Sequence, residues 1–182
     1  MWIARHAEST WNAEERWQGQ GDPPLSGLGE RQAQALAERL ASRGVHTLVS
    51  SDLARAAQTA EIAGKRLGVA PRFETRLRER DVGAWSGLAH AEITKRFPEE
   101  LARMRAGDPE LRPGGGESFR ELEARVRAAF AEIAAQANAE GIAVITHLGV
   151  IRVLEPKVHV AHAGFWTPGK SEGGPGDGSA LL

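Results

Sequence analysis

Two alternating periodicities constrain how this chain can fold. Short runs of strand-forming residues, Trp2 to Ala4, Thr47 to Val49 and Ile142 to Ile145, are separated by longer stretches in which apolar residues recur every three or four positions. Strand, helix, strand, repeated, is the order of an α/β domain built on a mainly parallel central sheet. A length of 182 residues fits one such unit.

The helical stretches carry their own boundaries. Behind Ser26, the residues Ala33, Leu36, Ala37 and Leu40 share one face, and Gly44 is placed to stop the helix. Asp52 is placed to cap a second helix that would bury Leu53, Ala57, Ala60, Ala63 and Leu67 and end at Gly68. Ser118 and Glu121 have capping-box spacing, and Phe119, Leu122, Val126, Phe130, Ile133 and Ala137 follow as one apolar stripe. Residues 11–24 are polar and Gly-containing, which predicts a functional loop. From Pro156 to Leu182, six glycines and three prolines fall among sparse apolar residues, so this segment is expected to be irregular. The expected division is a catalytic domain over 1–155 and a Gly/Pro-rich atypical tail over 156–182.

Composition removes several functional classes. A net charge of −1 provides no basic field for nucleic acid. Without cysteine there is no disulfide framework, no thiolate nucleophile and no Cys-based zinc site. The apolar runs are too short to span a bilayer and the N-terminus lacks an export-signal pattern, so no membrane partner and a cytoplasmic location are expected. Gly114-Gly115-Gly116 and the pair Gly19 and Gly21 lack the following Lys-Ser/Thr of a nucleotide P-loop. His159 and His162 are a conceivable metal pair, but without a third ligand they read as part of a solvated tail.

In open parallel sheets, ligands bind beyond the carboxyl ends of the strands. Arg5 and His6 follow the first run, Ser50, Ser51 and then Arg55 follow the second, and His147 follows Thr146 after the third. Singly, each is ordinary: a histidine at a strand end is usually a hydrogen-bonded rim residue, and Arg55 would be a solvated helix charge. Converging, two guanidiniums and two imidazoles suit a dianionic oxyanion such as phosphate, which guanidinium forks bind by paired, charge-assisted hydrogen bonds. The first turn of the helix after His147 could add backbone N–H donors. A neutral imidazole can also attack phosphorus. Protonating the leaving alcohol then requires a nearby carboxyl group. Glu79 is the candidate, although its run Leu77-Arg78-Glu79-Arg80-Asp81 reads alone as an exposed salt-bridged strip.

Six ordered blocks over residues 1 to about 154 resemble the histidine phosphatase superfamily, the phosphoglycerate-mutase-like proteins. Arg5-His6-Ala7-Glu8-Ser9-Thr10-Trp11-Asn12 is similar to its R-H-G-E-[ST]-x-x-N signature, with Ala7 in place of the common glycine. Gln18 to Ser26 resembles Q-G-x-x-D-x-P-L-[ST], and Ser50 to Ala60 resembles S-S-D-L-x-R-A-x-Q-T-A. Leu77-Arg78-Glu79 with Gly83, Trp85 and Gly87 resembles the acid-bearing segment. Pro113 to Ser118 resembles P-G-G-E-S, and Thr146 to Arg152 resembles T-H-G-G-x-I-R.

The resemblance implies a three-layer sandwich with a mainly parallel sheet flanked by helices. It implies that His6 takes the phosphoryl group while Arg5, Arg55 and His147 hold its oxygens, with Asn12 assisting. Gln18, Gly19 and Leu148 join the substrate-binding set, and Glu79 donates and later accepts a proton. No metal and no other cofactor are implied, and the partner is a small phosphorylated metabolite. The short chain looks more like the phosphatase branch, because the mutases are generally longer and no room for their insertion is seen between Gly87 and Pro113. Two other readings stay open: a cofactor-dependent phosphoglycerate mutase, and an impaired, non-catalytic domain that binds phosphorylated ligands. The second is motivated by Pro156, which cuts the last helix and suggests a missing edge strand; such a chain could form a homodimer to cover the gap. Substrate choice is assigned to residues 12–25 and 89–112, with Trp11, Trp17 and Trp85 as candidate lining.

Overall fold

The computed structural model describes residues 1–136 and 139–168. Five strands, β1 (Trp2–Arg5), β2 (Thr47–Ser50), β3 (Arg72–Phe73), β4 (Ile142–Thr146) and β5 (Phe165–Trp166), form one sheet in the order β3-β2-β4-β1-β5. The first four run parallel and β5 pairs antiparallel with β1. Among the described residues seven α-helices accompany them: α1 (Thr10–Ala13), α2 (Gly27–Ala41), α3 (Ala54–Leu67), α4 (His90–Arg96), α5 (Pro98–Arg105), α6 (Phe119–Ala134) and α7 (Leu148–Leu154).

Side chains alternate across the sheet and feed two cores. Ala4, Leu48, Ala143 and Ile145 meet Ala33, Leu36, Ala56 and Ala60 of α2 and α3. Ile3, Val49 and Val144 meet Val126 and Phe130 of α6 and Val150 and Ile151 of α7. With both faces covered, all five residues of β4 are buried, as a central parallel strand requires. Each fully buried Leu or Ile contributes roughly 1.5–3 kcal/mol. This is the expected α/β architecture, with helical layers on both sides of the sheet.

Register places the site. Arg5 lies opposite Thr146, and Ser50 opposite Ile145, so β1, β4 and β2 end nearly level. His6, Ser51 and His147 therefore leave the sheet along one edge.

Several local expectations need correction. Asp52 does not cap α3; its carboxylate is bound by Arg78, with the Nε contact at 2.8 Å. The Ala54 N–H instead reaches Asp22 Oδ1 at 2.5 Å, so the cap comes from the loop after α1. On α3 the buried face holds Ala56, Thr59, Ala60, Ala63 and Gly64, whereas Ala57 and Leu67 are half-buried. The helix turns its small residues toward α2 and the sheet, where close packing needs them. In α6 the capping box of Ser118 and Glu121 forms, and Leu122, Val126, Phe130 and Ile133 are buried; Ala137 lies outside the described residues.

The segment expected to be irregular is so only in part. After α7, residues 155–164 follow no regular element, but Phe165 and Trp166 add an edge strand to β1, and Val160 and Ala163 are buried. Trp85 and Trp17, offered as pocket lining, belong to a third apolar cluster with Ile93 of α4 and Leu101 of α5. Their rings pack edge to face with centroids 5.4 Å apart. Among the described residues no helix is long and apolar enough to cross a membrane.

Candidate active site

His6 follows β1 directly and is almost fully buried, at 3% exposure. Its backbone N–H donates to Thr146 O of the neighbouring strand end, and its Nδ1 lies 2.7 Å from Ala7 O. A carbonyl only accepts, so Nδ1 carries the ring proton and Nε2 keeps a bare lone pair. Burial, then the Arg55 and Arg5 guanidiniums, hold the imidazole well below its ordinary pKa of 6.5. The ring is therefore neutral near pH 7. The turn after it is fixed from α3, where the Ala7 N–H donates to Thr59 Oγ1.

His147 stands at the end of β4 with no exposure, its ring centroid 5.1 Å from that of His6. Burial, then Arg55 and His6, keep its pKa well below the ordinary value. Its Nε2 lies 2.8 Å from Ser51 Oγ, the residue that follows β2. Arg55, in the first turn of α3, is 1% exposed and donates Nη1 to Gly21 O and Nη2 to Gly19 O, each at 2.8 Å. The loop carrying Gln18 and Gly19 is thus tied to α3. Gly19 has φ +51° and its Cα hydrogen faces Val82, so a side chain there would collide. Burial pushes Arg5 and Arg55 down to about 10, and Glu79 acts on both in the opposite direction; both remain cationic at neutral pH.

Glu79 is not an exposed strip residue. Its Oε1 accepts from the Arg80 N–H at 2.8 Å and its Oε2 from the Gly149 N–H at 3.1 Å. One amide of the first turn of α7, that of Gly149, is thus committed to this carboxylate. A Cβ on Gly149 would lie 2.2 Å from Glu79 Oε1, so the absence of a side chain there permits the approach. Arg125 of α6 holds the main chain, donating to the carbonyls of Arg76, Arg78 and Glu79 while Glu117 neutralises it. Gln20 also donates to Glu79 O. Beyond that carbonyl lies an open groove of about 460 Å³, lined by Gln20, Asp81, Arg112, Glu117 and Arg125 among others.

The expected residues converge. Arg5, Arg55, His6 and His147 lie close enough for each arginine to depress both imidazoles. Arg5 Nε, Arg55 Nε and His147 Nδ1 are buried without hydrogen-bond partners among the described residues. An unpaired buried polar group costs about 1–3 kcal/mol, and the two arginine Nε–H groups are donors left for a ligand acceptor. Asn12 sits differently: its Oδ1 accepts from the Ser9 N–H and Oγ in the capping box of α1. Gln18 Oε1, at 2.7 Å, competes with Asn12 Oδ1 for the one proton of Ser9 Oγ, and Leu148 opens α7 beside His147. Sequence reasoning missed Thr59 and Arg125 as supports. It also misread His162, which is half-buried beside the site: its ring centroid is 5.8 Å from that of His6 and its Nε2 is 2.8 Å from Arg5 Nη2. His159 is exposed; among the described residues no group of three or more His, Asp or Glu is placed to hold a metal ion.

A doubly covered parallel sheet whose strand ends gather paired imidazoles and guanidiniums defines an α/β protein with a cationic, imidazole-bearing site at the carboxyl edge of its sheet. The chain belongs to the histidine phosphatase superfamily (branch 1), which it matches over residues 1–167. A probable phosphoglycerate mutase, GpmB of Salmonella paratyphi B, is 40% identical over 131 residues, 72% of this chain and 61% of the relative; the match spans about three fifths of that protein's length. Among solved structures, the mycobacterial glucosyl-3-phosphoglycerate phosphatase in complex with VO3 is 40% identical, with TM-score 0.75 over 84% of this chain and 78% of that one. Mycobacterial hydrolase 1 is 34% identical, with TM-score 0.81 over 93% and 91%.

Proposed function

We propose that the chain is a phosphomonoesterase that hydrolyses small phosphorylated metabolites, without a metal ion, through a phosphohistidine on His6. The observation that carries this reading is the His6 ring itself, neutral, proton on Nδ1, with a bare Nε2 beside two guanidiniums and a second imidazole. Nε2 attacks phosphorus, an N–P bond forms, and the P–O bond to the leaving group breaks. Glu79 gives a proton to the departing oxygen. Water then attacks the phosphohistidine, Glu79 takes a proton from that water, the N–P bond breaks and inorganic phosphate leaves. Arg5, Arg55 and His147 stabilise the equatorial oxygens from fixed positions, which costs little reorganisation as charge develops. Ser51 can accept from the Leu53 N–H while donating to His147 Nε2, which leaves Nδ1–H as the donor toward the anion.

A mutase is the second reading, favoured by the name of the Salmonella relatives. Purified protein given p-nitrophenyl phosphate or a sugar phosphate should release inorganic phosphate steadily, and His6→Ala should remove nearly all turnover. Phosphoglycerate interconversion outpacing phosphate release would overturn the phosphatase reading, and unchanged release by His6→Ala would overturn the role of His6.

A further inference from the structure

We propose that His162, supplied by the segment between α7 and β5, is a positioning residue that sets the Arg5 guanidinium for anion binding. The inference rests on the phosphate-site reading above and adds to it a residue outside the six sequence blocks.

A guanidinium only donates, so the 2.8 Å contact makes His162 Nε2 the acceptor from Arg5 Nη2. The ring is then neutral with its proton on Nδ1, consistent with burial and Arg5 holding its pKa down to about 3. The second terminal nitrogen of Arg5, Nη1, donates to Val160 O at 3.2 Å. Two contacts from one segment thus fix both ends of the fork, and the buried, unpartnered Nε is left for a ligand oxygen.

The segment is built to hold this geometry. Gly164 O accepts from the Arg5 N–H, the Ala163 N–H donates to His6 O, and Ala163 O accepts from Arg39 Nη2 at 2.7 Å. Ala163 is buried and sits at φ +53°, a left-handed conformation that costs a non-glycine residue about 1 kcal/mol or more unless its surroundings impose it. Val160 is anchored in the core shared with Ile3 and Val144. A free arginine side chain samples many rotamers, and ordering it at the moment of binding would weaken affinity; His162 carries out that ordering beforehand.

The test compares the full chain with His162→Gln, which keeps an acceptor near Nε2, and His162→Leu, which keeps bulk without one. Orthovanadate affinity and the thermal midpoint are measured for each, together with the ¹⁵N signals of the His162 ring before and after Arg5→Met. The proposal expects vanadate binding about tenfold weaker in His162→Leu and near wild type in His162→Gln, at similar thermal midpoints. Equal affinity in all three proteins, or equal weakening in both variants, overturns it. If the unsubstituted protein fails to bind vanadate, the phosphate-site reading falls; the Arg5 to His162 pairing then stands if Nε2 shifts on Arg5→Met and falls if it does not.

Discussion

His6, Arg5, Arg55, His147 and Glu79 are legible because each is a reactive or charged side chain at a strand end or within a motif, and the sheet register brings those ends level. Their supports are not. Glu79 owes its place to a residue with no side chain, since Gly149 donates its amide to Oε2 and leaves room for Oε1. Gly149→Ala should push the carboxylate away from the leaving-group position, and misplacement by about 1 Å can cost on the order of 100-fold in turnover. Steady-state kinetics on p-nitrophenyl phosphate, with the thermal midpoint as control, checks this; unchanged kcat would remove Glu79 from the site as described. Arg125 drew no notice in the sequence because the groups it positions are backbone carbonyls, invisible to residue-type reasoning. His162 was missed for a related reason: its value lies in a contact 157 positions away.

Local signals served the elements well where the controlling interaction is itself local. Ser118 and Glu121 sit three residues apart and cap α6 without outside help, and Gly68 ends α3 in the left-handed conformation that glycine tolerates. The α3 N-terminus failed the same reasoning because its cap comes from Asp22, while Asp52 is taken by Arg78. An aspartate beside a helix start has competing partners, and tertiary proximity decides among them. Strands β3 and β5 have two residues each, too few to display a period of two. β5 also fills the edge position that the cut helix seemed to leave empty, so the motive for an impaired domain based on a missing strand weakens.

At the scale of the whole molecule, the site stores pH sensitivity. His6 and His147 are held well below 6.5, first by burial and then by neighbouring cations, whereas the unfolded chain takes up those protons as pH falls through about 6.5. The unfolded state therefore binds more protons in that window, and stability drops with falling pH by up to about 1.4 kcal/mol per unit for each histidine. His162, at about 3, acts in the same direction between 6.5 and 3. Glu74, lowered to about 2 by Arg76, loses its contribution only below about 4.5. The thermal midpoint in phosphate-free buffer should fall measurably between pH 7.5 and 5.5, above the carboxylate range; a flat midpoint there would mean that these imidazoles are already charged in the folded protein. The account as a whole turns on a covalent N–P bond at one ring. Protein quenched in alkali during turnover, digested and analysed by mass spectrometry should carry an acid-labile phosphoryl group on the peptide containing His6. Steady phosphate release with that peptide unmodified, under quench times that capture bound intermediates, would contradict it.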